Sequence, residues 1–145
     1  DMFGKLSDAQ IGARDLYEIR LIFEPQAAYL AAQRASDTEL ARILSYGREV
    51  ERLIESGGDR TRAGQSFHKA IAKATHNAFI SRLMPILYEG IGKGVLLSKQ
   101  NEQAVKDTLA DHRLIMEFLS QRNPEGARDA MRIHILHAVQ ELNMN

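Results

Sequence analysis

Apolar residues recur along this chain at three- and four-residue intervals, which places them on one face of a helix after another. Leu16, Ile19, Ile22 and Phe23 begin one stripe, and Ala27, Leu30 and Ala31 extend it beyond Pro25. The spacing predicts a helix over 13–34 with a kink at Pro25, because a mid-helix proline removes one backbone bond and crowds the preceding turn. Ser36-Asp37-Thr38-Glu39 reads as a helix start, with Ser36 or Asp37 as its cap. The next stripe runs through Leu40, Ile43, Leu44, Val50, Leu53 and Ile54, and Gly57-Gly58 ends it.

A third helix carries Phe67, Ala70, Ile71 and Ala74 and stops near His76-Asn77. A fourth starts at Ala78 and holds Ile80, Leu83, Ile86 and Leu87, with Pro85 inside it. Gly90, Gly92 and Gly94 weaken its second half, since each glycine costs about 1 kcal/mol against alanine in a helix interior. The segment Asn101–Gln103 opens a fifth helix, whose inner stripe is Val105, Leu109, His112, Ile115, Met116 and Leu119. Asn123-Pro124 is a cap followed by proline at the first helical position. The last helix then carries Ala127, Ala130, Met131, His134, Ile135 and Val139. No segment alternates with the period of a strand. The pattern predicts an all-α antiparallel bundle of about six helices.

Composition narrows the function. The length of 145 residues suits one domain with a substantial core. Lys+Arg and Asp+Glu are 19 each, so the formal net charge is zero. A nucleic-acid binder carries a basic footprint, so this stretch is not expected to grip DNA or RNA itself. There is no cysteine, which excludes disulfides and thiolate metal sites and fits a cytoplasmic protein. No apolar run reaches the roughly 18 residues of a membrane span, and no membrane partner is expected. Phosphate-binding glycine loops, a nucleophile elbow, a His-Glu-x-x-His pair and an EF-hand loop are all missing.

The remaining chemistry lies in three histidines on three predicted helices: His68, His112 and His134. His112 falls three residues after Leu109 and three before Ile115, so it points inward with the stripe. His134 follows Ala130 by four residues and is inward too, whereas the direction of His68 is less defined. Neutral imidazoles are common ligands of divalent transition metals, and three of them leave a coordination position open. An inward histidine is usually just a core residue with a hydrogen-bond partner, and spacing alone does not lift these three above that reading. His76 and His137 stay outside the expected ligand set.

Asp111 points about 100° away from His112 around its helix, which predicts an exposed carboxylate, or at most one behind a ligand. Arg20 lies one turn before Glu24. The two form either a solvated pair worth under about 1 kcal/mol or a site where Arg20 clamps a ligand carboxylate. Arg48, Arg52, Arg60 and Arg62 read as solvated faces. A histidine-held metal could also activate water for hydrolysis. Asp111 and Glu117 are then only nominal bases, and no catalytic residue is assigned.

Several segments are similar to a known family. Asp15-Leu16-Tyr17-Glu18-Ile19-Arg20-Leu21-Ile22-Phe23-Glu24-Pro25 resembles the first helix of the FCD domain, the effector domain of FadR-type regulators in the GntR family. Phe67-His68-Lys69-Ala70-Ile71-Ala72-Lys73-Ala74-Thr75-His76-Asn77 resembles its central helix and the turn after it. Asp111-His112-Arg113, Asn123-Pro124-Glu125-Gly126-Ala127-Arg128 and Ala130-Met131-Arg132-Ile133-His134-Ile135 resemble its final helix pair. The resemblance covers nearly the whole chain.

The resemblance implies a transcription regulator whose N-terminal winged helix-turn-helix binds operator DNA. Residues 1–12 would be the linker from that part, and residues 13–145 a helical ligand-sensing domain that forms a homodimer. Metal-binding members use an Asp and three His, commonly with zinc or nickel, and small carboxylic acids are the usual effectors. By position the histidines are His68, His112 and His134. The Asp sits four residues before the first His, where this chain has Gly64. Gln65, three residues before His68, and Arg20 are the expected effector contacts. Other members lack the metal and take larger ligands such as acyl-CoA.

Overall fold

The computed structural model describes residues 12–95 and 102–143. They form α1 (Ala13–Arg34), α2 (Asp37–Ser56), α3 (Thr61–Lys73), α4 (Ala78–Val95), α5 (Glu102–Ser120) and α6 (Pro124–Asn143). The fold is the expected all-α bundle. The linker expected over residues 1–12 falls outside the described residues except for Gly12, as does Asn101 at the expected start of α5. Gly90, Gly92 and Gly94 do not end α4, which continues to Val95. Pro25 lies buried inside an unbroken α1.

α1 makes its most extensive contact with α6, and α6 packs on α5. Small side chains form this seam: Ala27, Ala28, Ala31 and Ala32 on α1, with Ala127 and Ala130 on α6, are all buried. Small residues let the helix backbones approach, and the larger Phe67, Ile71, Ile115, Met131 and Ile135 complete the core around them. This burial holds α1 together despite its proline, because packing supplies most helical stability in a folded protein.

The ends follow from local sequence. Ser36 and Glu39 form a capping box: the Ser36 hydroxyl accepts from Glu39 N at 3.0 Å, and Glu39 Oε1 accepts from Ser36 N at 2.9 Å. α2 stops at Gly57, whose φ of 72° suits a residue without Cβ, and Gly58 N donates back to Leu53 O at 2.8 Å. Asn123 Oδ1 caps α6 through Gly126 N at 2.9 Å. Arg122, in the α5–α6 turn, donates to Ala35 O at 2.5 Å and to Asp37 Oδ1 at 3.1 Å. His76, in the α3–α4 turn, reaches Glu39 at 2.7 Å. The three tight turns are therefore tied together at one end of the bundle. The polar cavity takes its lining from the first half of α1, the first half and middle of α3 and α5, and the second half of α2, α4 and α6. In an antiparallel bundle that is the opposite end.

Candidate metal and effector site

The three histidines predicted from sequence come together. His68 on α3, His112 on α5 and His134 on α6 each offer a ring nitrogen, and these nitrogens lie within 4.8 Å of one another. All three residues are buried. Their rings pack as a cluster, with centroids 5.6 Å apart for His68–His112, 5.2 Å for His68–His134 and 4.8 Å for His112–His134. Phe67 stacks on His112 at 4.5 Å and fixes its plane.

Two carboxylates hold the rings from behind. Glu24 on α1 is 2% exposed, so it has no solvent to fall back on. Its Oε1 accepts from His68 Nδ1 at 2.5 Å and from the Tyr88 hydroxyl at 2.5 Å, and its Oε2 accepts from Arg20 Nε. Asp111 Oδ2 accepts from His134 Nδ1 at 3.0 Å and from His137 Nδ1 at 2.8 Å. An ionised carboxylate can only accept, so Nδ1 carries the proton in both His68 and His134, and Nε2 of each ring is the atom turned away from the carboxylate. Carboxylates that orient histidines in this way are a regular feature behind metal ligands. In His112 the Nδ1 atom is buried and has no hydrogen-bond partner among the described residues.

The protonation states agree with this arrangement. Burial pushes the His68 pKa down, Glu24 pulls it back only in part, and it settles at about 4. Burial and the neighbouring His134 and His68 push His112 well down as well. Both imidazoles are neutral near pH 7, the form that binds metal. Burial works against the Glu24 charge, but Arg20 and His68 outweigh it and hold the carboxyl below the usual range. Burial also opposes ionisation of Asp111, and the bonds from His134 and His137 reverse that. Neutral imidazoles, preset tautomers and a buried unpartnered nitrogen fit a divalent transition metal.

Arg20 is buried rather than solvated. Its guanidinium lies over the Tyr17 ring at 4.9 Å and the Tyr88 ring at 5.1 Å, and Nη2 donates to the Tyr88 hydroxyl at 3.2 Å. The pair with Glu24 is thus buried, with its Arg20 half in the cavity wall. Arg20 and Gln65 both line the cavity, as do Gly64 and all three clustered histidines. The cavity measures about 130 Å³.

Arg60 and, in its burial, Asp111 depart from the sequence reading, while His137 stays outside the ligand cluster as expected. Asp111 is buried, not exposed, because α5 packs against α2, α6 and α1 and so presents two adjacent positions to the interior. Arg60 is half-buried in the cavity lining, where it donates to Thr108 Oγ1 at 3.3 Å, because the α2–α3 turn folds over the cavity. His137 lines the cavity and shares Asp111 with His134. Glu24 was legible only as half of an ion pair, since nothing local shows that its turn faces α3 and α4. Of the two nominal bases, Asp111 is engaged by two histidines and Glu117 is exposed.

Comparison with known proteins decides the family: a model of the FCD domain matches residues 15–137. The chain belongs to the FCD domain family. The FCD chain is 26% identical over 131 residues to the uncharacterized HTH-type transcriptional regulator YdhC of Bacillus subtilis, covering 88% of this chain and 58% of that protein. It is 26% identical over 125 residues to the putative L-lactate dehydrogenase operon regulatory protein of Escherichia coli, covering 83% of this chain and 48% of that protein. The solved structure of Streptococcus agalactiae GntR superposes with a TM-score of 0.76 at 30% identity, over 86% of this chain and 56% of that one. The chain spans about half the length of the curated relatives it matches. Among the described residues no helix is long and apolar enough to cross a membrane.

Proposed function

We propose that this FCD domain is the sensor of a metabolite-responsive transcription regulator, and that it detects a small carboxylate through a metal held by His68, His112 and His134. The observation that carries the reading is the carboxylate behind two of the three rings: Glu24 on His68 Nδ1 and Asp111 on His134 Nδ1. Such pairs preset the tautomer and raise ligand basicity. A metal there would supply a Lewis-acidic attachment point for a carboxylate, and zinc or nickel matches an all-imidazole set. Arg20 and Gln65 stand in the same wall to meet the effector, and the size of the cavity favours a small acid over a large one. An acyl-CoA is far larger.

Within a full-length regulator, the domain would form a homodimer and act in the cytoplasm on operator DNA held by a separate N-terminal winged helix-turn-helix, joined through residues 1–12. Its effect on DNA would follow from a difference in effector affinity between two dimer arrangements, because half-site spacing makes dimer geometry readable. Regulators among its relatives, including one described for an L-lactate dehydrogenase operon, support this role over that of an enzyme.

The test is operator affinity of the full-length regulator across a panel of small carboxylates and hydroxy acids. At least one acid shifts the affinity, and His112→Ala removes the shift. Unchanged affinity with every acid in the panel contradicts the reading.

A further inference from the structure

α4 is apolar on two opposite sides. Ile80, Met84, Leu87 and Tyr88 pack into the core, and Met84 and Tyr88 are buried. Tyr88 also reaches Arg20 and Glu24, so this helix forms part of the cavity wall. The other side carries Phe79, which is 74% exposed, Leu83, half-buried, and Ile86, 38% exposed. A helix that is apolar all round is normally covered all round. Among the described residues α4 packs chiefly on α3 and α1, and nothing covers Phe79 and Ile86.

Phe79, Leu83 and Ile86 follow one another at steps of four and three, so they form one stripe along the outer side. Arg82 and Glu89, seven residues apart, border that stripe on the same edge. Both are exposed, and neither makes an ion pair with another described residue. A two-fold axis that sets two copies of α4 antiparallel brings the same edge of each helix together. Arg82 of either copy then meets Glu89 of the other at the two ends of the contact, with Leu83 and Ile86 of both copies between them. A parallel pairing would instead set Arg82 against the other edge, where the apolar Leu87 stands. Resting on the homodimer of the reading above, and not on its metal, we infer that this outer face of α4 is where a second copy of the chain docks antiparallel. The contact is isologous, so one stripe and one pair of opposite charges complete both halves of it.

The test is sedimentation velocity of this chain over a dilution series. The wild type forms a dimer. Phe79→Ser and Arg82→Glu each raise its dissociation constant about tenfold or more, the first by removing an apolar anchor and the second by setting like charges opposite each other. The double variant Arg82→Glu, Glu89→Arg restores the wild-type value, because it inverts both charges of the pair. Ile133→Ser, at an exposed apolar position of α6, leaves the value unchanged. Circular dichroism checks that each variant folds. A dimer that neither α4 change weakens, or an Arg82→Glu loss that the double variant does not restore, overturns the α4 contact and leaves the homodimer standing. A wild type that stays monomeric at every concentration overturns both.

Discussion

Glu24 Oε1 lies 2.5 Å from His68 Nδ1, a buried bond that joins α1 to α3. The same carboxylate neutralises Arg20 and accepts from Tyr88 on α4. One side chain thus fixes a proposed metal ligand, a proposed effector contact and the position of a third helix. It does this in the interior, where the Arg20 charge would otherwise be left without a counter-charge beside it.

Glu24→Gln should destabilise the domain by about 3–5 kcal/mol, because it leaves the Arg20 charge buried without its partner. Urea denaturation measures this directly. A loss under about 1 kcal/mol, the range of an exposed pair, would show that the pair contributes as a solvated one.

Asp111→Asn keeps the shape but cannot accept from both His134 and His137 as a charged group. Zinc affinity, read by competition with a chromophoric chelator in acetate buffer, should fall about 10–100-fold, the usual cost of losing an orienting carboxylate. An unchanged affinity would mean that Asp111 serves only packing.

The capping box of α2 gives a pH-dependent prediction. Glu39 has its pKa lowered, first by the Ser36 backbone N–H and then by His76. A carboxyl whose folded pKa is depressed contributes stability above its unfolded value and loses it as pH falls through the folded one. The stability gap between wild type and Glu39→Gln should therefore be largest near neutral pH and close below about pH 4. Ser36→Ala should cost about 1 kcal/mol near neutral pH. Denaturation of both variants at several pH values checks the two statements, and a gap that widens in acid would refute the first.

Ile115 is fully buried in the core cluster that also holds the alanine seam and Phe67. Ile115→Ala should cost about 2–5 kcal/mol, again by denaturation, while a loss below about 1 kcal/mol would place the core elsewhere.

Much of this architecture is legible in the chain. The 3.6-residue period of the apolar stripes gives the helices, and Ser36, Gly57 and Asn123 mark ends that the structure keeps. The inward placing of His112 and His134 also follows from their stripes. Periodicity assigns a face on each helix but not which neighbours meet that face. A single narrow buried stripe on α5 makes Asp111 exposed or at most a residue behind a ligand; α5 is covered on more than one side, and the second of these is what the structure shows. Arg60 belongs to a turn, where no period applies, and its place over the cavity depends on how α2 and α3 pack. Arg20 and Glu24 stand at the spacing of an ordinary surface pair. Their burial comes from Tyr17 on the same helix and from Tyr88 and His68 on two others, which no window along α1 could reveal.

The most direct measurement is the zinc content of this chain by elemental mass spectrometry after equilibration with zinc and acetate and removal of the excess, with His112→Ala alongside. The account predicts about one zinc per wild-type chain, as a three-histidine site requires, and almost none in the variant. No bound zinc in the wild type, or equal zinc in both, would contradict it.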